Sequence, residues 1–124
     1  MQLTRDEYSD ALGIHTAETN GETVLVLPFS ESVAGRDGYI HGGAIGALLE
    51  AACHAAFHGH MADDTTPARP VNLAIEFLRG ARGENLYALG TVVRRGRRIS
   101  HVEAFAWQTD RSTPLAQARM HFFE

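Results

Sequence analysis

From Tyr39 to Phe57 the chain is apolar and rich in alanine, with Ala44, Ala47, Leu48, Ala51, Ala52 and Ala55 recurring at three- and four-residue steps. Ala and Leu are strong helix formers, and small side chains let a helix lie close to a sheet. Downstream the repeat shortens to the two-residue step of strands. Residues 71–78, 85–94, 100–109 and 115–123 each have strand length and are separated by turn-forming residues. In the third of these, Val102, Ala104 and Ala106 alternate with His101, Glu103, Phe105 and Trp107, so both faces can be covered. Upstream, residues 14–19 and 23–29 predict two strands joined at Asn20-Gly21, a strong hairpin signal. Tyr8, Ala11 and Leu12, spaced as on a helix and followed by Gly13, predict a short helix over residues 4–13, a lid or edge cover within an N-terminal segment of residues 1–13. Ser30 to Gly38 reads as a polar loop, and His58-Gly59-His60 with residues 62–67 as the end of the long helix and a loop. The pattern predicts an α+β domain, one long central helix wrapped by five or six antiparallel strands.

Chemistry concentrates at the start of the long helix, Tyr39-Ile40-His41-Gly42-Gly43-Ala44. Two glycines let a ligand approach the main chain, and the first N–H groups of the helix have no intrahelical acceptor. Together they make an oxyanion or anion site. Glu50, the one carboxylate among the alanines, is expected to be buried and functional. It lies seven residues beyond Gly43, roughly 10 Å along the axis at 1.5 Å per residue. One carbonyl cannot sit about 3 Å from both groups. If both act on one substrate, they come from two copies of the chain with antiparallel helices.

The His-Gly-Gly step, six further residues and then an acid resembles the hotdog-fold acyl-CoA thioesterases of the phenylacetate-pathway and 4-hydroxybenzoyl-CoA thioesterase type. Two further stretches carry the resemblance, Pro70 to Gly80 with its Phe77-Leu78-Arg79 corner and Val92 to Arg98 with its Gly-Arg strand. It covers roughly residues 20 to 124. The resemblance implies a hotdog fold whose antiparallel sheet is curved, and hydrolysis of an acyl-CoA thioester. It also implies that the Gly42 N–H at the helix start, with Gly43 beside it, holds the oxyanion, and that Glu50 of the partner chain is general base or nucleophile. His41 is expected to shape the turn and hydrogen-bond across the site. His54, one turn beyond Glu50, can bond that acid or a water. The implied assembly is a homodimer with shared sites, paired further into a homotetramer. Relatives commonly carry Asn or Gln where this chain has Gly35, so a side chain that orients the thioester or water is missing or displaced.

Coenzyme A carries phosphates, for which Arg is the best-suited side chain. Arg94, Arg95, Arg97 and Arg98 around Gly96 form the densest basic stretch, with Arg79 the next candidate. The remainder of the composition mostly excludes. At 124 residues, 44% hydrophobic, the chain has material for one domain and one core. A formal charge of −4 argues against non-specific nucleic-acid binding. The N-terminus lacks a signal-peptide pattern, no segment has transmembrane length, and a cytoplasmic protein without membrane partners is expected. Glu50, His54 and His58 recur at four-residue steps, but the His-Glu-x-x-His helix of zinc hydrolases is absent, and neither metal nor cofactor is expected. Two other readings stay open: a hotdog hydratase or dehydratase, and a non-catalytic module that binds acyl-CoA or an aromatic ligand.

Overall fold

The computed structural model describes residues 7–60 and 69–124. The first turn expected for the N-terminal helix (residues 4–6) and the loop expected at residues 62–67 lie outside the described residues. Six strands form one antiparallel sheet in the order β1-β2-β4-β5-β6-β3. They are β1 (His15–Thr19), β2 (Glu22–Leu27), β3 (Arg69–Phe77), β4 (Leu86–Arg95), β5 (Ile99–Trp107) and β6 (Ala116–Phe123). A short helix α1 (Glu7–Leu12) precedes β1, and the long helix α2 (Gly42–His60) lies between β2 and β3. The curved sheet around one long helix is the hotdog fold. The expected polar loop contains two 3-10 turns, Glu31–Val33 and Arg36–Gly38.

The β1–β2 turn is tight because Asn20 and Gly21 both adopt positive φ, 52° and 79°, the conformation that a two-residue type I′ hairpin requires. On the side facing α2 the sheet is paved with small residues, Ala88, Ala104, Ala106, Ala116 and Ala118, all buried. They meet Ala44, Leu48, Ala52 and Ala55 of α2. At Gly90 the helix comes so close that an added Cβ would overlap the Ala52 carbonyl. Larger side chains fill the far end, where Phe57 and Phe122 stack with centroids 4.4 Å apart.

The outer face of the sheet is covered only in part. Val24, Val26 and Trp107 form a second small cluster there, with the Arg111 guanidinium 4.9 Å above the Trp107 ring and held by Glu22. Phe105 remains exposed, so the alternation in β5 does not bury both faces in one chain. Among the described residues β3 pairs only with β6, and Val71, Leu73 and Phe77 beside its open edge are exposed. An uncovered apolar edge strand is a template for pairing with another chain.

Candidate active site

The start of α2 is fixed by the loop before it. Ala34 bridges Ile40, Tyr39 bridges Arg82, and the Gly35 N–H donates to the Tyr39 carbonyl at 2.6 Å. The His41 N–H then donates to the Val33 carbonyl at 3.0 Å, which sets the imidazole beside the first turn. There Nδ1 accepts the Ala44 N–H at 3.1 Å. His41 is thus the N-cap, satisfying the third N–H of the helix as Ser or Asp does elsewhere. With Nδ1 an acceptor, the neutral ring carries its proton on Nε2.

The cap leaves two donors open. Gly42 and Gly43 are exposed, and their N–H groups have no acceptor among the described residues. Both stand at the positive end of a helix of 19 residues, where developing negative charge is stabilised. The walls are close. A Cβ on Gly42 would sit 3.5 Å from the Phe77 ring, and one on Gly43 3.3 Å from the His41 ring and 3.9 Å from the Tyr8 hydroxyl. Glycine keeps the donors reachable between these groups. Phe77 and Tyr8 were not singled out from sequence as site residues. Phe77 read as the end of a strand and Tyr8 as an apolar position of α1, and only the tertiary fold brings them to the helix start.

Gly35 has a local explanation. A Cβ there would lie 3.2 Å from the backbone of His41. The loop packs on the residue that caps α2, so the missing Asn or Gln leaves no space behind.

Glu50 departs from expectation. Its side chain is 47% exposed rather than buried. The physical reason is that the sheet covers one side of α2 only; Gly43, Ala47, Glu50, His54 and His58 are exposed or half-buried along the other. Glu50 faces His54, with Oε2 3.8 Å from Nε2, an ion pair when the imidazole is protonated. His54 is braced by the edge of the Phe122 ring, centroids 5.0 Å apart. Gly42 and Glu50 are separated by eight residues, about 12 Å along α2. One chain does not bring them together at one carbonyl.

The basic candidates go three ways. Arg79 lines a cleft of about 390 Å³ beside the helix start, together with Tyr39, Arg82 and Gln108. Arg95 turns toward α2, pairing with Glu124 at 3.2 Å and lying 5.8 Å over the Phe57 ring. Arg94, Gly96, Arg97 and Arg98 line a larger cavity at the β4–β5 hairpin. Because Phe57 is fifteen residues beyond Gly42, this hairpin lies roughly 20 Å along α2 from the open N–H groups of its own chain.

Among the described residues no three His, Cys, Asp or Glu are grouped to hold a metal ion, and no helix is long and apolar enough to cross a membrane. Cys53 is buried in the helix–sheet core, and burial pushes its thiol up to about 12.

The sequence profile of the thioesterase superfamily matches residues 37–115. No curated protein matches the chain in sequence. Among solved structures, a Chromobacterium violaceum protein is 32% identical at a TM-score of 0.76, over 94% of this chain and 81% of that one. A phenylacetic acid degradation-related protein of Ralstonia eutropha has the same fold, with a TM-score of 0.81, 20% identity and coverage of 98% and 92%. A Bacillus halodurans protein solved with CoA also shares it, with a TM-score of 0.82, 23% identity and coverage of 96% and 78%. The matched segment contains the His41-Gly42-Gly43 turn, all of α2 and strands β3, β4 and β5, and the chain belongs to the thioesterase superfamily.

Proposed function

We propose that the protein hydrolyses an acyl-CoA thioester at a site shared by two copies of the chain. The observation that carries the reading is the pair of unfilled N–H donors at Gly42 and Gly43, left open because His41 caps the third. They receive the carbonyl oxygen as it becomes an oxyanion, and one such donor is typically worth about 3 to 4 kcal/mol in the transition state. The partner's carboxylate does the proton work. Acting as a base, Glu50 takes a proton from water as the water oxygen bonds to the carbonyl carbon. The C–S bond then breaks and the proton passes to the departing thiolate. Acting as a nucleophile, Glu50 displaces the thiolate to form an anhydride that water opens. Both routes start from an ionised carboxylate at the same place.

The distances support a dimer. In a two-fold pair, Gly42 meets Glu50 of the other chain and the converse holds as well. The helices are then antiparallel and cross near residue 46, midway between the two. The half-exposed stripe of Gly43, Ala47, Glu50 and His54 supports this, since small residues at the crossing allow close approach. The open edge of β3 supports it too: Phe77 lies against Gly42 and Ile75 against Gly46, so the edge runs beside the proposed crossing. The CoA found with the Bacillus halodurans protein is in keeping with the leaving group. A tetramer made by pairing two such dimers, in the cytoplasm, completes the proposal.

Hydrolysis is tested by thiol release from aromatic and aliphatic acyl-CoAs, with wild type and Glu50→Gln side by side in chelator. Turnover that the substitution removes is expected. Saturable binding without turnover would select the non-catalytic reading, which Gly35 favours because no side chain there orients a thioester or water.

A further inference from the structure

Helix α1 is closed at its C-terminal end in a way that fixes where its side chains fall. Gly13 takes φ 80°, its N–H donates to the Asp10 carbonyl, and the Ile14 N–H donates to the Ser9 carbonyl, both at 3.1 Å. These are the two bonds of a Schellman close, which satisfies the last carbonyls of a helix. A Cβ on Gly13 would lie 3.2 Å from Pro28, so the turn rests directly on the residue after β2. Leu12 and Ile14 on either side of it enter the main core, and Ser9 is buried as well.

Tyr8 stands four residues before Leu12 on the same face of α1, yet it is 53% exposed. It reaches the open start of α2 instead of the core. Its hydroxyl lies 3.9 Å from the place of a Gly43 Cβ, and the His41 ring lies 3.3 Å from that same place. Cβ positions lean toward the N-terminus of a helix, the direction in which the unfilled N–H groups of Gly42 and Gly43 point. The hydroxyl therefore stands where those donors converge, and among the described residues it has no hydrogen-bond partner. Across the turn, the wall beside Gly42 is the Phe77 ring, which offers no donor. Of the two aromatic walls, only Tyr8 can add a hydrogen bond, and a tyrosine O–H is among the groups that complete oxyanion sites alongside main-chain N–H groups.

We propose that Tyr8 is a third donor of the oxyanion site, its O–H directed at the carbonyl oxygen that the Gly42 and Gly43 N–H groups receive. Tyr8 keeps its proton throughout and stabilises the charge that gathers on that oxygen. The identity of the carbonyl rests on the thioester reading. The three donors belong to one chain, so the proposal does not depend on how two copies pair. It makes α1 part of the site and not only a cover for the edge of the sheet.

The test uses Tyr8→Phe, which keeps the ring and removes only the hydroxyl, with Tyr87→Phe on the outer face of the sheet as control. With an acyl-CoA substrate, kcat is expected to fall about a hundredfold, the low end for loss of one oxyanion donor because water reaches the half-exposed hydroxyl. KM should stay nearly unchanged, the mark of an interaction made in the transition state alone. The second readout is the infrared carbonyl band of a bound acyl-CoA ketone, in which a methylene group replaces the thioester sulfur. Hydrogen bonds lower its frequency, so the band should rise in Tyr8→Phe and stay in place in Tyr87→Phe. An unchanged kcat, a raised KM alone, or a band that does not move would overturn the third donor and leave Tyr8 a wall. Failure of the hydrolase reading is distinguishable: wild type then binds the ketone without turning over the thioester, and the band still reports on Tyr8. Wild type that binds no ketone would overturn the acyl-CoA ligand and this proposal with it.

Discussion

The imidazole of His41 accepts the Ala44 N–H on Nδ1 at 3.1 Å, sharing it with the His41 carbonyl at 3.2 Å, so the first turn of α2 has one satisfied donor after two open ones. A serine cap would leave the same two donors free, but only a ring also presents a second N–H beside them. The arrangement argues against His41 as the base, since its acceptor nitrogen is already engaged.

Removing the cap gives the first prediction. His41→Ala should lower stability by about 1 kcal/mol, the usual worth of an N-cap, seen as a fall of a few degrees in Tm. His41→Asn, a good N-cap residue without the ring, should restore most of the stability and not the activity. Equal recovery of both by Asn would reduce the imidazole to a cap.

Close helix–sheet approach gives the second. Gly90→Ala puts a methyl group against the Ala52 carbonyl, which is backbone and cannot swing aside. Overpacking of this kind costs about 1 to 3 kcal/mol, and chemical denaturation should show a lower midpoint. A midpoint equal to wild type would mean that α2 and β4 separate freely.

Cys53 supplies the third. Burial raises its thiol from 9.0 to about 12, so the folded protein keeps the neutral thiol where an unfolded chain would form thiolate. The sign follows directly: the contribution to stability is complete below the unfolded value and is lost as pH rises through the interval up to about 12. Native protein at neutral pH should resist iodoacetamide, while unfolded protein should take up one equivalent on its single cysteine. Rapid native labelling would contradict the buried placement.

Much of this was legible in the chain because local signals agree with the tertiary fold. The alanine spacing of α2 matches an alanine-paved sheet, Asn20-Gly21 makes the tight turn its positive φ values allow, and the strands fall within a few residues of their alternating segments. Glu50 was not legible at the level of one chain, because an acid among alanines suggests burial, whereas the chain's own sheet covers only one side of α2 and leaves the side chain half exposed. Separation of the arginines was not legible in detail. Arg94 and Arg95 are neighbours in sequence, yet the pleat and the β-bulge between Val92 and Arg94 send them to opposite faces. Likewise, no local pattern joins His101 to His121, which meet only through the β5–β6 register.

The fourth prediction concerns the acid. Glu50→Gln should lower kcat by about two to four orders of magnitude, the range for loss of a general acid or base, with the oligomer intact by light scattering. Turnover near wild type would exclude Glu50 from the chemistry.

The central claim is that Gly42 of one chain and Glu50 of another serve a single thioester. It is tested most directly by mixing two inactive variants, Glu50→Gln and Gly42→Pro, the second removing the N–H at a helix position where proline is tolerated. Each mixed dimer then holds one site with both groups intact. After unfolding and refolding together in equal amounts, the pair should regain roughly one quarter of wild-type turnover by random pairing of chains in a two-fold dimer. If the mixture is as inactive as its components while mixed dimers demonstrably form, the two residues act within one chain or not on the same carbonyl, and the shared site is wrong.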